Sequence, residues 1–499
     1  MIGEMLYKII GNIDDDIIQE AEEEMLPKKN HMKILVRGIS TAVCIILILG
    51  IGVWYAGNHL GGKTGMGGNG HQEGSTFMHY AGPVLPLNIL EDSSSVTAER
   101  VTHFDFSRYE HEYYGMDRLT ITDSYQLTNN SNEEKSYTIA YPYVSSLRDS
   151  NIYTPVLKSS VELQKETLLL GDYAGGFTSA YGDTSQSESL NLRTITSWED
   201  YKILLENGKY LDSAQKPLDL KDKQVTVYTF YDVTYPENYD AATLSIEFTL
   251  PEDSVMLTYG MNGGAYDAER RFYRSSYFIN QRENNQRIII IGEAPDKYSV
   301  KGYENGACEK EIKAVNGKVK SETKLLSEVI RQCITDHKNS YDNPEGYSEL
   351  LTDEHYYKAV LSMLKYTVLG EDPKERYSEM RLDDLISEAF NVNRVMYLTA
   401  EITIPAGETV DISATFHKEG SYDFGCVASK DTQGVLGYDL LTKLGSQLNI
   451  INHTAGIKLP QNYTIVRQNF GFDLENGITQ VQLNQEAERY YLEIRKMNK

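Results

Sequence analysis

The chain has 499 residues, with 72 acidic and 48 basic side chains and a formal net charge of −24. A surface this acidic repels nucleic acid and anionic lipid headgroups, so we expect no nucleic-acid partner. The length suffices for two or three domains with hydrophobic cores of their own.

Residues 1–33 form the first predicted element, an amphipathic tail. Apolar side chains recur there at helical offsets of three, four and seven. Short isolated helices are marginal in water, so this stripe needs a covering surface: a partner protein, a second copy of the chain or the membrane face. The alternative is a juxtamembrane helix without a partner. The predicted contact residues are Leu6, Ile9, Ile10, Ile13, Ile17 and Ile18.

Residues 38–56 are nineteen uncharged residues with the sequence GISTAVCIILILGIGVWYA. As a helix this run spans about 28 Å, close to the hydrocarbon thickness of a bilayer. We therefore predict a single transmembrane helix over residues 34–56. Four basic residues crowd its N-terminal flank: Lys28, Lys29, Lys33 and Arg37.

The basic flank sets the predicted orientation. Basic residues beside a span stay in the cytoplasm, and the first charged residue on the other flank is Lys63. We expect a single-pass protein of the cell membrane with its N-terminus cytoplasmic and its C-terminal bulk extracellular. A cleaved signal peptide is the alternative, but cleavage after Ala56 would place the bulky Trp54 where a small residue is required.

Residues 57–82 form a predicted glycine-rich linker. Half of the fourteen residues 57–70 are glycine, which is typical of a flexible tether. Residues 57–64, GNHLGGKT, match the phosphate-loop pattern, but that loop requires a preceding strand and a following helix. Here a membrane span precedes the match and more glycine follows it, so we predict no nucleotide and no other cofactor.

Alternating polar and apolar residues dominate from residue 83 onward and predict antiparallel strands. We expect a hairpin in which 118–126 and 136–143 pair around a turn at 129–134. Three further turns are predicted where Pro, Asn and Gly cluster, at 262–264, 405–407 and 476–477. Further strands are predicted at 161–170, 224–233, 243–250, 255–259, 287–291, 395–404, 409–416, 447–451, 463–468 and 480–494, the last interrupted at 484–488.

Helical periodicity interrupts the strands at 198–207 and within residues 321–393. The second region is predicted to hold three helices, the first from Glu322, the second after Thr352 and the third over 382–390. The apolar face of the first is Leu325, Leu326, Val329, Ile330, Cys333 and Ile334. We expect such faces to pack on each other and on a sheet rather than to line a cofactor site.

These elements predict a mainly β fold: a single transmembrane helix followed by antiparallel β-sandwich, Ig-like extracellular domains with a helical insertion. The first sandwich domain is predicted at 83–254 and a second β-rich domain at 255–499, with the insertion at 321–393. Tyrosine is enriched, with 37 residues against 13 Phe and 2 Trp. We expect most tyrosines at half-buried sheet positions, with a binding surface as the alternative.

Candidate chemistry is sparse. His103, Asp105 and the run 109–112 (YEHE) could supply metal ligands, but their spacing fits no ligand set of known geometry, so we predict no metal site. No nucleophile, base and orienting residue can be combined from the sequence, so we predict that the protein is not an enzyme.

Cysteine is scarce. Cys44 lies in the predicted span, and Cys308, Cys333 and Cys426 lie beyond it. An odd number of outer cysteines is not a disulfide framework, and so few fit a Gram-positive bacterial envelope. We expect buried free thiols, with a Cys308–Cys333 bridge as the alternative.

The N-terminus carries a family resemblance. The tail reads YKIIGNIDDDIIQEAEEE and is followed by a lysine-rich stretch and the single span. This arrangement resembles membrane-anchored anti-sigma-factor-like proteins of clostridial Firmicutes. The resemblance implies an inside segment that holds a sigma factor and an outer domain that receives a signal. The sequence lacks the His/Cys zinc cluster of one major anti-sigma class, which excludes that class.

The outer part resembles uncharacterised clostridial extracellular domains through LTYGMNGG (257–264), KGYENGACEKE (301–311) and QNFGFDLENGI (468–478). This likeness implies shared structure and no known activity. We therefore expect a single-pass membrane regulator with an extracytoplasmic sensor for an unknown ligand and a sigma-binding tail. The alternative is a surface-anchored binding protein for a glycan, peptide or cell-wall ligand, with no signalling role.

Overall fold

The computed structural model describes residues 82–107, 111–112, 116–173, 220, 222–236, 239, 241–267, 269–279, 285–341, 347–366, 369, 381–423 and 430–497. The predicted tail, the predicted transmembrane helix, the linker up to residue 81 and the predicted helix 198–207 lie outside these residues. Within them, no helix is both long enough and apolar enough to cross a membrane.

The described residues form 24 strands and four helices, so the prediction of a mainly β fold is confirmed. The helices are α1 (Ser150–Tyr153), α2 (Leu326–Tyr341), α3 (Asp353–Tyr366) and α4 (Leu382–Asn391). The strands are β1 (Asn88–Ile89), β2 (Val96–Asp105), β3 (His111–Glu112), β4 (Met116–Asp117), β5 (Leu119–Asn129), β6 (Lys135–Ser145), β7 (Val156–Ser159), β8 (Gln164–Tyr173), β9 (Gln224–Thr234), β10 (Thr243–Thr249), β11 (Val255–Tyr259), β12 (Gly263–Asp267), β13 (Phe272–Phe278), β14 (Arg287–Ile291), β15 (Tyr298–Tyr303), β16 (Asn316–Leu325), β17 (Arg394–Ile404), β18 (Thr409–Lys418), β19 (Tyr422–Asp423), β20 (Val435–Leu441), β21 (Asn449–Lys458), β22 (Tyr463–Gln468), β23 (Gln480–Gln482) and β24 (Arg489–Lys496).

Two sheets pack face to face around the larger core. One has the strand order β1-β6-β17-β8 and the other the order β23-β21-β2-β5-β18-β7. Inward residues of both sheets, such as Ile121 and Ile139, belong to one buried cluster, and the rings of Tyr141 and Phe416 lie 5.6 Å apart across it. A third sheet, β19-β20-β24-β22, joins the same core through residues such as Tyr438.

The predicted hairpin of 118–126 with 136–143 is wrong. Both segments are strands, but β5 pairs with β2 and β18, whereas β6 pairs with β1 and β17. The intervening turn therefore carries the chain from one sheet to the facing sheet. Strands β17 and β18 cross in the same way, through the predicted turn at 405–407, where Gly407 has a φ of 73°. Alternation specifies which side of a strand is buried, but it does not specify the neighbouring strand.

Asn129 joins these two crossings. Its buried side-chain Nδ2 donates hydrogen bonds to the carbonyl oxygens of Glu133 (2.8 Å), Ile404 (3.1 Å) and Pro405 (3.3 Å). Its main-chain N–H and carbonyl both bond to residues 407–408, at 3.0 Å each. One buried amide thus satisfies carbonyl groups of both turns.

We expect Asn129→Ala to lower the free energy of unfolding by about 2–3 kcal/mol, because three carbonyl oxygens lose their donor at a buried site. Pulse proteolysis of the full-length chain across a urea series measures the change. The control is Asn130→Ala: the neighbouring amide bonds to Ser95 O (3.2 Å) on the exposed surface, and its loss should change stability by about 0.5 kcal/mol or less. Equal effects of the two substitutions would contradict the role of Asn129.

A second pair of sheets packs around a smaller core within residues 224–325. Their orders are β11-β14-β9-β16 and β12-β13-β10-β15. Strand β14 is buried on both sides: Ile288 and Ile290 face the smaller core, whereas Ile289 and Ile291 face the larger one. A sheet covered on both faces explains the unbroken run of four isoleucines. The predicted domain boundary at 254/255 falls between β10 and β11, which lie in the two facing sheets of this pair.

Helices α2, α3 and α4 pack against each other, and α2 and α4 contact the β11-β14-β9-β16 sheet. The predicted apolar faces, from Leu326 to Ile334 on α2 and from Tyr356 to Leu364 on α3, are buried in the larger core, so their predicted packing is confirmed. The predicted start of α2 is wrong. Residues 322–325 continue strand β16, which pairs with β9 as far as Leu325 opposite Gln224.

Of the other predicted turns, the one at 476–477 is confirmed, with Gly477 at a φ of 76°. The turn at 262–264 is wrong, because Gly263 and Gly264 open strand β12. The change of direction instead occurs at Gly260, whose φ is 69°. A side chain at Gly263 would approach Ser276 Oγ to 2.6 Å, so this glycine permits close contact between β12 and β13.

Candidate binding site

The outward face of the six-stranded sheet carries the candidate site. Its strands β2, β5 and β18 alternate between buried and accessible residues. On β5, for example, Asp123 and Tyr125 are buried whereas Ser124 and Gln126 face outward. Most of the accessible positions hold short polar side chains, which are suited to hydrogen bonding rather than to packing.

Strand register aligns the outward side chains in two neighbouring rows across five strands. The floor row, in the order β21, β2, β5, β18 and β7, is Thr454, Val101, Ser124, Ser413 and Lys158. The wall row is Asn452, Glu99, Gln126, Asp411 and Ser160. The central side chains of the wall row are longer than the two serines of the floor row, so the surface steps down between the rows.

These rows line a groove of about 530 Å³, a volume within the range of small-ligand sites. Wall-row side chains pair across strands: Gln126 Nε2 donates to Asp411 Oδ1 (3.1 Å), and Asn452 Nδ2 donates to Glu99 Oε2 (3.3 Å). The second oxygen of each carboxylate has no hydrogen-bond partner among the described residues. Val101, 45 % exposed, is the apolar residue of the floor row.

A buried polar cluster lies directly beneath the groove, and we call it the hub. Asp123 is its centre and accepts hydrogen bonds from Arg100 Nε (2.9 Å) and Nη2 (2.8 Å), Thr102 Oγ1 (2.7 Å), Tyr125 OH (2.7 Å) and Tyr141 OH (3.0 Å). Both carboxylate oxygens are therefore satisfied although the side chain is fully buried. The hub residues are Arg100, Thr102, Asp123, Tyr125, Tyr141 and His453.

Arg100 ties three parts of the chain together at the hub. Besides its two bonds to Asp123, Nη1 donates to the carbonyl oxygens of Leu441 (2.6 Å) and Thr442 (3.2 Å), and Nη2 donates to Leu85 O (3.4 Å). Burial disfavours the charged guanidinium, but the adjacent Asp123 outweighs burial and raises the pKa of Arg100 above its usual value. The guanidinium of Arg100 therefore stays charged inside the protein.

His453 completes the hub as a neutral ring. Thr102 Oγ1 lies 3.1 Å from His453 Nε2, and its hydroxyl proton is already donated to Asp123, so Nε2–H is the donor to Thr102. His453 Nδ1 is buried and has no hydrogen-bond partner among the described residues. Burial, reinforced by the charge of Arg100, lowers the pKa of His453 to about 2.

Two tyrosines keep their hydroxyl protons at the hub. Burial, followed in the case of Tyr141 by the charge of Asp123, raises the pKa of both Tyr125 and Tyr141 well above the usual value, and Arg100 only partly offsets it. Both hydroxyls therefore remain donors to Asp123. Tyr125 OH additionally accepts the main-chain N–H of Leu87 at 2.9 Å, which links the hub to the N-terminal end of the described chain.

That N-terminal segment, residues 83–89, is buried throughout, and we call it the strap. Val84 exchanges main-chain hydrogen bonds with the strand β20, at Asp439 O (2.8 Å) and Leu441 N–H (3.0 Å). Leu87 O accepts Ser446 Oγ–H at 2.5 Å. In the sequence the strap directly follows residues 57–82, the predicted glycine-rich linker, and it bonds to the hub beneath the groove.

The residues predicted as sites in the sequence fall mostly elsewhere. The tail residues Leu6, Ile9, Ile10, Ile13, Ile17 and Ile18 and the phosphate-loop match lie outside the described residues. His103 lies on the outward side of β2, and Asp105 pairs with Lys458 at 3.6 Å. Among the described residues, no three His, Cys, Asp or Glu side chains are placed to hold a metal ion.

The predicted free thiols are confirmed where the structure describes them. Cys308 and Cys333 are both buried and unbridged. Cys333 Sγ accepts a hydrogen bond from Arg287 at 3.2 Å, and burial raises its pKa to about 12, so it stays a thiol. Cys333 belongs to the buried apolar face of α2, so its role is structural.

Neither the hub nor the groove was predicted from the sequence. A signal for the hub was present, because Arg100 and Asp123 occupy buried positions of alternating strands, where a charged side chain requires a partner. No comparable signal marks the groove, since its two rows exist only after five strands are placed side by side. No protein-family model matches the chain, and no curated protein and no solved structure matches it.

We expect Arg100→Met to lower the free energy of unfolding by about 3–5 kcal/mol, because it leaves the Asp123 carboxylate buried without its counter-charge. The measurement is again pulse proteolysis in urea. Arg270→Met is the matched control, since Arg270 pairs with Asp267 at 3.7 Å on the exposed surface. That pair should contribute about 1 kcal/mol or less, and an equal loss in both variants would count against the hub.

His453 makes the protein sensitive to acid. The unfolded chain takes up a proton at this ring near pH 6.5, whereas the folded chain does so only near pH 2, so stability falls as the pH drops below 6.5. Between pH 7.5 and pH 5.0 this group should remove about 2 kcal/mol.

The variant His453→Gln lacks the titrating ring, so its stability should fall by about 2 kcal/mol less over the same pH interval. Chemical denaturation of the wild-type and variant chains at both pH values gives the comparison. His417→Gln, at an exposed position of β18, serves as control and should behave like the wild type. An unchanged pH response in His453→Gln would show that His453 is not the acid-sensitive group.

Proposed function

We propose that this protein is a single-pass membrane regulator: a cytoplasmic tail, a transmembrane helix over 34–56, and an extracytoplasmic sensor whose groove receives a ligand. The two pairs of facing sheets support the assignment of the outer part to β-sandwich, Ig-like domains. The proposal assigns no reaction to the chain.

The observation that carries the proposal is the strap. It connects directly to the linker, is buried over its whole length, and bonds to Tyr125 and Arg100 of the hub. Hub residues alternate along β2 and β5 with groove residues, so Asp123 lies next to Ser124, and Arg100 lies between Glu99 and Val101. A shift of β2 or β5 at the groove therefore alters the hydrogen bonds between the hub and the strap, and the strap is continuous with the linker.

Signal transfer from the groove to the linker requires two states of the strap. In the docked state the strap is bonded to the hub and to β20, and in the released state it is not. A ligand shifts such an equilibrium only if it binds one state more tightly than the other. Groove side chains and strap contacts share strands β2 and β5, so strand positions that suit the ligand also set the hydrogen bonds offered to Leu85 and Leu87. The C-terminal end of the linker is then held in place in the docked state and is free to move in the released state.

At the cytoplasmic end, the proposal places a sigma factor on the apolar stripe of the tail. Support comes from the helical spacing of that stripe and from the resemblance to anti-sigma-factor-like membrane proteins. An apolar helical face requires a covering surface, and a sigma factor would provide one inside the cell. The transmembrane helix holds the two functions on one chain.

We expect the full-length chain, tagged at its C-terminus, to be recovered with the membrane fraction and to capture an alternative sigma factor. The double variant Ile13→Asp, Ile17→Asp should lose the captured protein, because each substitution places a charge on the apolar stripe. Quantitative mass spectrometry of the captured proteins provides the measurement.

The control carries Asp15→Asn and Glu22→Gln, which lie off the stripe and should leave capture unchanged. Recovery of the chain in the soluble fraction would contradict the membrane anchor. Membrane recovery without any captured sigma factor would contradict the regulator and favour the alternative, a surface-anchored binding protein with no signalling role.

A further inference from the structure

Most accessible side chains that line the groove are uncharged hydrogen-bonding groups. Its accessible lining holds hydroxyls on Ser124, Ser413 and Thr454 and amides on Gln126 and Asn452. These groups are uncharged, and the serine hydroxyls can both donate and accept hydrogen bonds. Thr454 Oγ1 donates to Gln482 Oε1 (3.1 Å), and Asn452 bonds to Gln482 and Glu99, so these two side chains offer a ligand only their remaining lone pairs or N–H. The serine hydroxyls match a ligand whose own groups also donate and accept, such as the hydroxyls of a sugar.

The charges in the groove disfavour an anionic ligand. Two carboxylates, Glu99 and Asp411, face it, against one accessible ammonium, Lys158, on the edge strand β7. Each carboxylate has an oxygen without a partner among the described residues, and a carboxylate oxygen accepts hydrogen bonds from hydroxyls strongly. The chain as a whole is also strongly acidic, so a polyanion would be repelled.

The groove is long and shallow rather than deep. It crosses five strands, whose four spacings of roughly 4.8 Å give a length of about 19 Å. This length suits several consecutive sugar rings of a linear chain. Val101 lies in the floor row and is 45 % exposed, so it can pack against the apolar C–H face of one ring.

A peptide fits this location less well. Extended peptides bind sheets by adding a strand at a free edge, where main-chain hydrogen bonds are available. The groove lies on the face of the sheet, and the main-chain groups beneath it are engaged in the ladders of β2, β5 and β18. Recognition there depends on side chains alone.

We propose that the groove binds a neutral polyhydroxylated polymer, a linear glycan segment that lies across the strands. This inference rests on the proposed function and names the ligand class of its sensor. The hub fixes β2 and β5 from below, so the two rows are preorganised and little ordering is required on binding. Without an aromatic platform among the accessible lining residues, binding depends on hydrogen bonds and on Val101.

The experiment is calorimetric titration of the full-length chain in detergent micelles with linear hexasaccharides of glucose, N-acetylglucosamine and mannose. A galacturonate hexamer of equal length is the anionic probe, and a glycine-serine peptide is the peptide probe. We expect at least one neutral hexasaccharide to bind at millimolar concentration or below, at least tenfold more tightly than the anionic and peptide probes.

Three variants locate the site. Ser413→Phe fills the floor row and should weaken binding of that hexasaccharide at least tenfold, whereas Thr409→Phe places the same ring on the outward side of the same strand beyond the groove and should leave binding unchanged. Glu99→Gln keeps the shape of the wall row and should weaken binding about threefold or more, which tests the groove without filling it.

Three results would overturn the inference: no binding of any neutral hexasaccharide, equal or tighter binding of the anionic or peptide probe, or equal losses in Ser413→Phe and Thr409→Phe. Sigma-factor capture, measured on the same preparation, reports separately on the proposed function. Capture without glycan binding would reject the ligand class alone, and glycan binding without capture would reject the regulator alone.

Discussion

The Arg100–Asp123 pair is the constraint on which the larger core depends. Removing both charges from water is costly, and the interior tolerates them only because all five N–H groups of Arg100 and both oxygens of Asp123 have partners. Those partners come from the strap, from β2 and β5, and from the end of β20. Each element must therefore be in place before the others are stable, so the hub specifies one arrangement of this core among many apolar alternatives.

The alternation of side chains along β2 and β5 also determines which residues lie on the outward face of the sheet. Because side chains alternate along a strand, a buried ionic network on one side of β2 and β5 places the neighbouring residues in two accessible rows on the other. The hub restricts the positions of these strands from within, and the groove inherits that rigidity. A binding surface supported in this way changes shape little by itself, and under the proposed function the effect of a ligand on β2 and β5 passes to the strap rather than to a loop.

Strand periodicity allowed much of the secondary structure to be predicted, and three predictions, β11, β14 and β22, match in full. Pairing could not be predicted, because β5 and β6 have the same alternation whether they form a hairpin or cross between sheets. The last four residues of β16, 322–325, were predicted as helix because an apolar residue every third or fourth position also arises where a strand runs directly into a helix. The groove was missed because it depends on the parallel pairing of β2 with β21, some 350 residues apart in the chain.

That parallel pairing determines the order in which the chain can fold. The smaller core lies within residues 224–325 and can form as soon as those residues have been synthesised. The six-stranded sheet instead brings β2 beside β21, and the strap pairs with β20, so an N-terminal part of the larger core waits for residues near 440–480. Contacts this distant in sequence form slowly. The strap and the edge of β2 that faces β21 therefore lack their partners until almost the entire chain has been synthesised.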